Sequence, residues 1–132
     1  MANADLAIGA DTGSLAALTS YADHEIDVEF LRWPVEYVGA NGKRVGDGLP
    51  VAIWRFPFLS EARLNSLRAL WTVAAVYVLS NEMAITTRMD DGKFDTFNCM
   101  GHWPSNVDAA RIIGGFSGLE FRFTQLVLEA GS

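Results

Sequence analysis

The chain has 132 residues, half of them apolar, 11% aromatic and 20% charged, which suits one compact domain and excludes intrinsic disorder because there is ample hydrophobic surface to offset chain entropy. Ten basic against sixteen acidic side chains leave a net charge of −6, which disfavours sequence-blind attraction to DNA, since phosphate affinity comes from counterions released around Lys and Arg. The longest apolar run, Val73 to Leu79, falls far short of the roughly 20 residues needed to span a bilayer, no secretory signal is visible, and a single cysteine, Cys99, excludes an intramolecular disulfide.

Residues Met1 to Ser20 carry only Asp5 and Asp11 as charges and are rich in Ala, Gly, Thr and Ser. They read as an extended arm for contacts between subunits, with at most a short helix from about Gly13 to Leu18 capped by Ser14. Residues 21–132 form the single domain. From Glu25 to Phe30, charged and apolar residues alternate, which predicts a half-buried strand with Ile26, Val28 and Phe30 inward. Leu31 and Trp33 fall on the opposite parity, so the strand ends or bulges there.

Residues Val38 to Pro50 contain Gly39, Gly42, Gly46 and Gly48 with Asn41 and Asp47, which reads as a loop and not as a strand interior. A loop of that length in a small domain is usually functional or interface-forming. Val51 to Phe56 predicts a strand covered on both faces. Ser60 then caps a helix over about residues 60–71, with Glu61 at its positive end and Leu64, Leu67, Leu70 and Trp71 as its apolar stripe. Val73 to Leu79 reads as a buried strand after a break near Thr72, as its β-branched and aromatic content favours, or else as a helix extension. The Asp91-Gly92 turn predicts a hairpin of Met83 to Arg88 with Lys93 to Met100. After a connection in which Val107 to Ile113 is helical or irregular, Leu119, Phe121 and Phe123 alternate with polar residues in a last strand that slips toward Leu126 and Leu128. The fold class is α+β, mainly β: a sandwich or barrel of about six to eight strands with one flanking helix.

No catalytic, cofactor or metal site emerges from the residues. His24 lies between Asp23 and Glu25, but neighbours on a strand point to opposite faces. Cys99 and His102 lack the further ligands or base that a metal site or a nucleophile pair requires, and Cys99 reads as a buried strand residue. Asp90 and Asp91 read as turn residues and not as a cation site. The Gly39 to Gly48 stretch lacks the Lys-Ser/Thr of a phosphate loop. Trp33, Trp54, Trp71 and Trp103 read as core positions before a stacking groove.

The order of these features is informative: an alternating strand, Arg44-Val45-Gly46-Asp47-Gly48, a strand with Trp54, a helix opening Ser60-Glu61-Ala62, a hairpin, and a terminal strand reading Leu119-Glu120-Phe121-Arg122-Phe123-Thr124-Gln125-Leu126. From Glu25 to Leu128 this resembles the tail proteins of long-tailed bacteriophages, the tail tube, distal-tail and minor-tail proteins, which carry a similar Gly-Asp-Gly loop before a strand and end on a Phe-rich strand. The resemblance implies a structural virion protein and not an enzyme, without cofactor or membrane. It implies a homo-oligomeric ring, usually a hexamer, assembled in the host cytoplasm and stacked on adjacent tail proteins, with genomic DNA passing through its lumen unbound. In that setting Gly46, Asp47 and Gly48 match the family's loop reaching toward an adjacent subunit, and Lys43 and Arg44 supply charge for an acidic neighbour. Two other classes stay open: a small hydrolase using Cys99 with His102 or His24, and a small ligand-binding β-barrel with a tryptophan-lined pocket.

Overall fold

The computed structural model describes residues 5–22, 24–33, 35–71, 80–104, 107 and 110–128. Asp23 and the run Val73 to Leu79 lie outside the described residues. The fold is mainly β, built on one curled, antiparallel sheet of seven strands that forms a half-barrel. Its strands are β1 (Ala7–Gly9), β2 (Ala16–Ala17), β3 (Asp27–Leu31), β6 (Val51–Phe56), β8 (Ser80–Arg88), β9 (Phe94–His102) and β12 (Leu119–Leu128), in the order β2-β1-β8-β9-β12-β6-β3. Two further strands, β4 (Val35–Val38) and β5 (Arg44–Asp47), pair only with each other. The last three, β7 (Leu59–Ser60), β10 (Arg111–Ile112) and β11 (Gly115–Phe116), form a small sheet.

Alternation decides which face of the large sheet is dry. Val28 and Phe30 on β3, Ala52, Trp54 and Phe56 on β6, and Leu119, Phe121 and Phe123 on β12 point into one core. Trp54 and Phe123 meet edge-on at 4.9 Å, as do Phe56 and Phe121 at 5.1 Å. The parity change expected in β12 is a bulge: the register with β9 shifts between Thr124 and Val127. Gln125 takes a left-handed φ of 55° there, so that Leu126 returns to the core while Leu128 stays exposed.

The sheet curls far enough for its distant strands to touch. β3 and β8 are separated by β6, β12 and β9, yet Arg88 Nη2 donates to the Val28 carbonyl at 2.8 Å. Arg32, just past β3, grips Asp90 in the β8–β9 turn, with Nε donating to Oδ2 at 3.0 Å. These contacts close one end of the half-barrel with side chains instead of a backbone ladder.

Helix α1 (Glu61–Arg68) forms where the sequence predicts, with Ser60 Oγ accepting from the Arg63 N–H and a single 3-10 turn, Ala69–Trp71, at its end. Leu64, Leu67 and Trp71 are buried against the sheet's core, whereas Asn65 and Arg68 are exposed. Trp71 ties the helix down through Nε1, which donates to the Gly101 carbonyl at 3.1 Å. Replacing Leu67 by Ala should cost about 2–5 kcal/mol, the usual range for emptying a packed leucine site. Urea unfolding measures it, and a change below about 1 kcal/mol would mean that the helix does not share the sheet's core.

Outside the Gly-rich stretch, four sequence expectations change. The segment up to Ser20 is not detached from the domain: Leu6, Ile8 and Leu18 are essentially fully buried, and β1 is hydrogen-bonded to β8 in the register Ile8 with Ile85. Backbone pairing and three apolar side chains outweigh its polar composition. The stretch Gly13 to Leu18 is not a helix, because Asp11 heads a turn, accepting from Gly13 N–H and Ser14 Oγ at 2.9 Å each, and Ala16–Ala17 then pairs with β1. Within the stretch Val107 to Ile113, read as helical or irregular, Arg111–Ile112 is instead a short strand, β10, paired with β11. Trp33 is 58% exposed, unlike Trp54 and Trp71 in the core and Trp103 packed beside Trp71.

Candidate functional site

The region read as a Gly-rich loop from Val38 to Pro50 is instead a hairpin. Arg44 pairs with Val38, Gly46 with Glu36 and Asp47 with Val35, so Arg44, Gly46 and Asp47 lie within β5 and Lys43 and Gly48 flank it. The left-handed residues are at the ends, Gly42 (φ 79°) in the turn and Gly48 (φ 88°) after the strand, and only there is glycine's freedom needed. The turn is built like the β8–β9 turn. In both, the first residue's N–H donates to the fifth residue's carbonyl at 2.8 Å, as Gly39 to Lys43 and Met89 to Lys93. In both, the fifth N–H donates to the third residue's side chain at 3.0 Å, to Asn41 or Asp91.

Among the described residues this hairpin pairs with no strand of the large sheet. It carries Tyr37 (52% exposed) and Val38 (68%), with Trp33 before it and Leu49 (50%) after it. Lys43 is exposed at its tip. A two-stranded hairpin is marginal by itself in water, and Tyr37 and Val38, neighbours on β4, leave an exposed apolar group on each of its two sides.

On the outer face of the sheet a row of ionic side chains is internally matched, beside Val51 and Ile53, which are buried at the same parity as Arg55, so β6 is covered on both faces as expected. Arg55 reaches Glu29 at 2.9 Å and Glu120 at 3.0 Å, and Arg122 approaches Glu120 at 3.5 Å. Hydrogen bonds to the two carboxylates raise the Arg55 pKa. Beside this row, His102 joins two strands: Ser80 Oγ is 2.7 Å from Nδ1 and Thr124 Oγ1 is 2.7 Å from Nε2. Burial holds the His102 pKa below the usual imidazole value, and nearby Arg122 lowers it further.

A histidine whose folded pKa is depressed binds fewer protons than it does in the unfolded chain, so stability rises with pH. Its contribution is full above about pH 6.5, the unfolded value, and fades as pH falls through the folded pKa. Unfolding free energies measured across this acid range should therefore slope more steeply for the wild type than for His102→Gln. Equal slopes would mean that His102 titrates alike in both states.

The structure separates the residues of the hydrolase reading. Cys99 is buried on the core face of β9, whereas His102 sits at the opposite parity on the outer face. Burial pushes the thiol up to about 12, far from the thiolate that nucleophilic attack requires. His24 stands edge-on to Phe58 at 5.9 Å. Asp90 is held by Arg32, whose hydrogen bonds lower the carboxyl's pKa. Among the described residues no group of three or more His, Cys, Asp or Glu side chains is arranged to hold a metal ion.

A depression of about 400 Å³ opens on the outer face where β1 ends and β12 bulges. Asp11, Glu82, Asn98, Met100, Gln125 and Val127 line much of it, and no tryptophan does. The sequence gives little warning of this place, since its residues come from four separate segments. Only the change of parity toward Leu126, expected from the sequence, marks the bulge beside it. Comparison with known proteins finds no matching family model, no matching curated protein and no matching solved structure.

Proposed function

We propose that the chain is a structural subunit of a bacteriophage tail, of the tail tube or the distal tail, which assembles with copies of itself into a ring around a channel for DNA. The observation that carries this reading is the β4–β5 hairpin, which among the described residues pairs with no other strand and leaves Tyr37 and Val38 more than half exposed. A neighbouring subunit would cover Trp33, Tyr37, Val38 and Leu49 and supply the third element that a lone hairpin lacks. The ordered resemblance in sequence adds to it, and so does a curled antiparallel sheet with one flanking helix. On the outer face the two arginines that could hold phosphate are engaged by Glu29 and Glu120. In a chain of net charge −6, a lumen lined by such matched or acidic surface would let DNA slide, since attachment to phosphate grows with each free cation.

The subunit would be made and assembled in the host cytoplasm and end in the virion tail, beside adjacent tail proteins. Electron microscopy of the purified protein, together with light scattering over a concentration series, should show closed rings, with six copies expected. A chain that stays monomeric at every concentration and is absent from virions would overturn the proposal. Copy number per virion, counted by quantitative mass spectrometry, separates a repeating tube subunit from a single ring at the tip.

A further inference from the structure

We infer that the tip of the β4–β5 hairpin of one copy seats in the depression beside the β12 bulge of the next copy, where Lys43 pairs with Glu82 and Asp11. The inference rests on the ring-forming reading and names the surface that receives the hairpin. Charge is the first support. Residues 37–46 contain Lys43 and Arg44 and no acidic residue, although the chain as a whole carries −6. The depression has two carboxylates, Asp11 and Glu82, and no Lys, Arg or His in its lining. Opposed surfaces of this kind fix register and speed encounter.

Shape and chemistry agree. The tip is narrow, since Gly39, Ala40, Asn41 and Gly42 precede Lys43. A slender turn can therefore enter a depression of about 400 Å³. Asn98 and Gln125 offer amide groups there to backbone and to Asn41, and half-exposed Val127 offers an apolar wall to Val38. Gly9 keeps the rim in place: a side chain at that position would come within 2.6 Å of the Ser14 carbonyl oxygen, so the loop bearing Asp11 packs directly on β1.

The exit of the hairpin at Pro50 accepts from the Leu126 N–H beside the depression at 3.3 Å. The hairpin tip and the depression are different surfaces of the chain, so a contact between copies is head-to-tail, the kind that generates a ring when its rotation closes.

Reciprocal charge exchange tests this on the full chain. Lys43 and Glu82 are both exposed, so Lys43→Glu and Glu82→Lys should fold with unchanged circular dichroism. Sedimentation velocity at low salt should show each single variant half-assembled only at a concentration at least about tenfold above the wild type's. The double variant, with the pair reversed, should return to within about threefold of it. As a measurement free of any variant, raising salt to about 0.5 M should weaken wild-type assembly, because partly exposed ion pairs are screened. If the wild type assembles but both single variants match it, or salt has no effect, this docking is wrong while the ring reading stands. If the wild type never assembles, the ring reading itself falls and takes the docking with it.

Discussion

A chain lacking residues 1–20 should lose cooperative unfolding, or melt far below the full-length protein. The deletion removes Leu6, Ile8 and Leu18, each at most 1% exposed. At about 1.5–3 kcal/mol for each buried aliphatic side chain, the loss is comparable to the roughly 5–15 kcal/mol by which a whole domain is stable. It also strips β1 from β8, leaving the long β8 as a free edge with its inward Met83 and Ile85 uncovered on one side. The Leu18 N–H, which donates to the Leu6 carbonyl at 2.8 Å, shows that the segment folds back on itself before docking. Thermal and urea unfolding followed by circular dichroism would decide the matter. A truncated chain with the same midpoint and the same denaturant slope would show that residues 1–20 are an appendage after all.

That segment was illegible for a physical reason. Its core contribution comes from three scattered side chains set among Ala, Gly, Ser and Thr, and β1 spans only Ala7–Gly9, too short for a period of two to register. Where elements are longer, periodicity spoke clearly. Asp27–Leu31 and the first half of β12 alternate as their burial requires, and α1 has both its cap and its stripe in the sequence. The hairpin of β8 and β9 followed from Asp91-Gly92, although only Gly92 takes the left-handed conformation, at φ 84°.

The candidate site divides in the same way. Lys43 and Arg44 were visible as a basic cluster among glycines, but four glycines concealed the strand Arg44–Asp47 because turn chemistry and a short strand share the same residues. The acidic depression depends on four segments that only the sheet order brings together. No local pattern could announce it.

Trp54→Ala should be the most damaging single substitution, costing about 3–5 kcal/mol, the range for deleting a buried aromatic side chain. Trp54 is fully buried on β6, edge-on to Phe123, and its Nε1 donates to Thr87 Oγ1 at 3.0 Å. Thr87 is the buried polar residue described in β8 and stands next to Arg88, whose guanidinium reaches back to Val28 on β3. The indole bond therefore crosses the inside of the half-barrel, between strands separated in the sheet by β9 and β12. Two terms can be separated. Trp54→Phe keeps most of the ring but leaves the Thr87 hydroxyl without its indole donor in the core, which should cost about 1–3 kcal/mol beyond the lost packing. Thr87→Val strands the indole N–H at similar cost, and also shifts a methyl into the hydroxyl's place. The double variant, Trp54→Phe with Thr87→Val, removes both partners, so its loss should fall below the sum of the single losses by about 1 kcal/mol or more. Urea unfolding of the four proteins, with equal denaturant slopes, completes the cycle. Strict additivity would mean that the hydrogen bond contributes nothing to holding the curl, and that the half-barrel is closed by aromatic packing and by the Arg88 and Arg32 contacts alone.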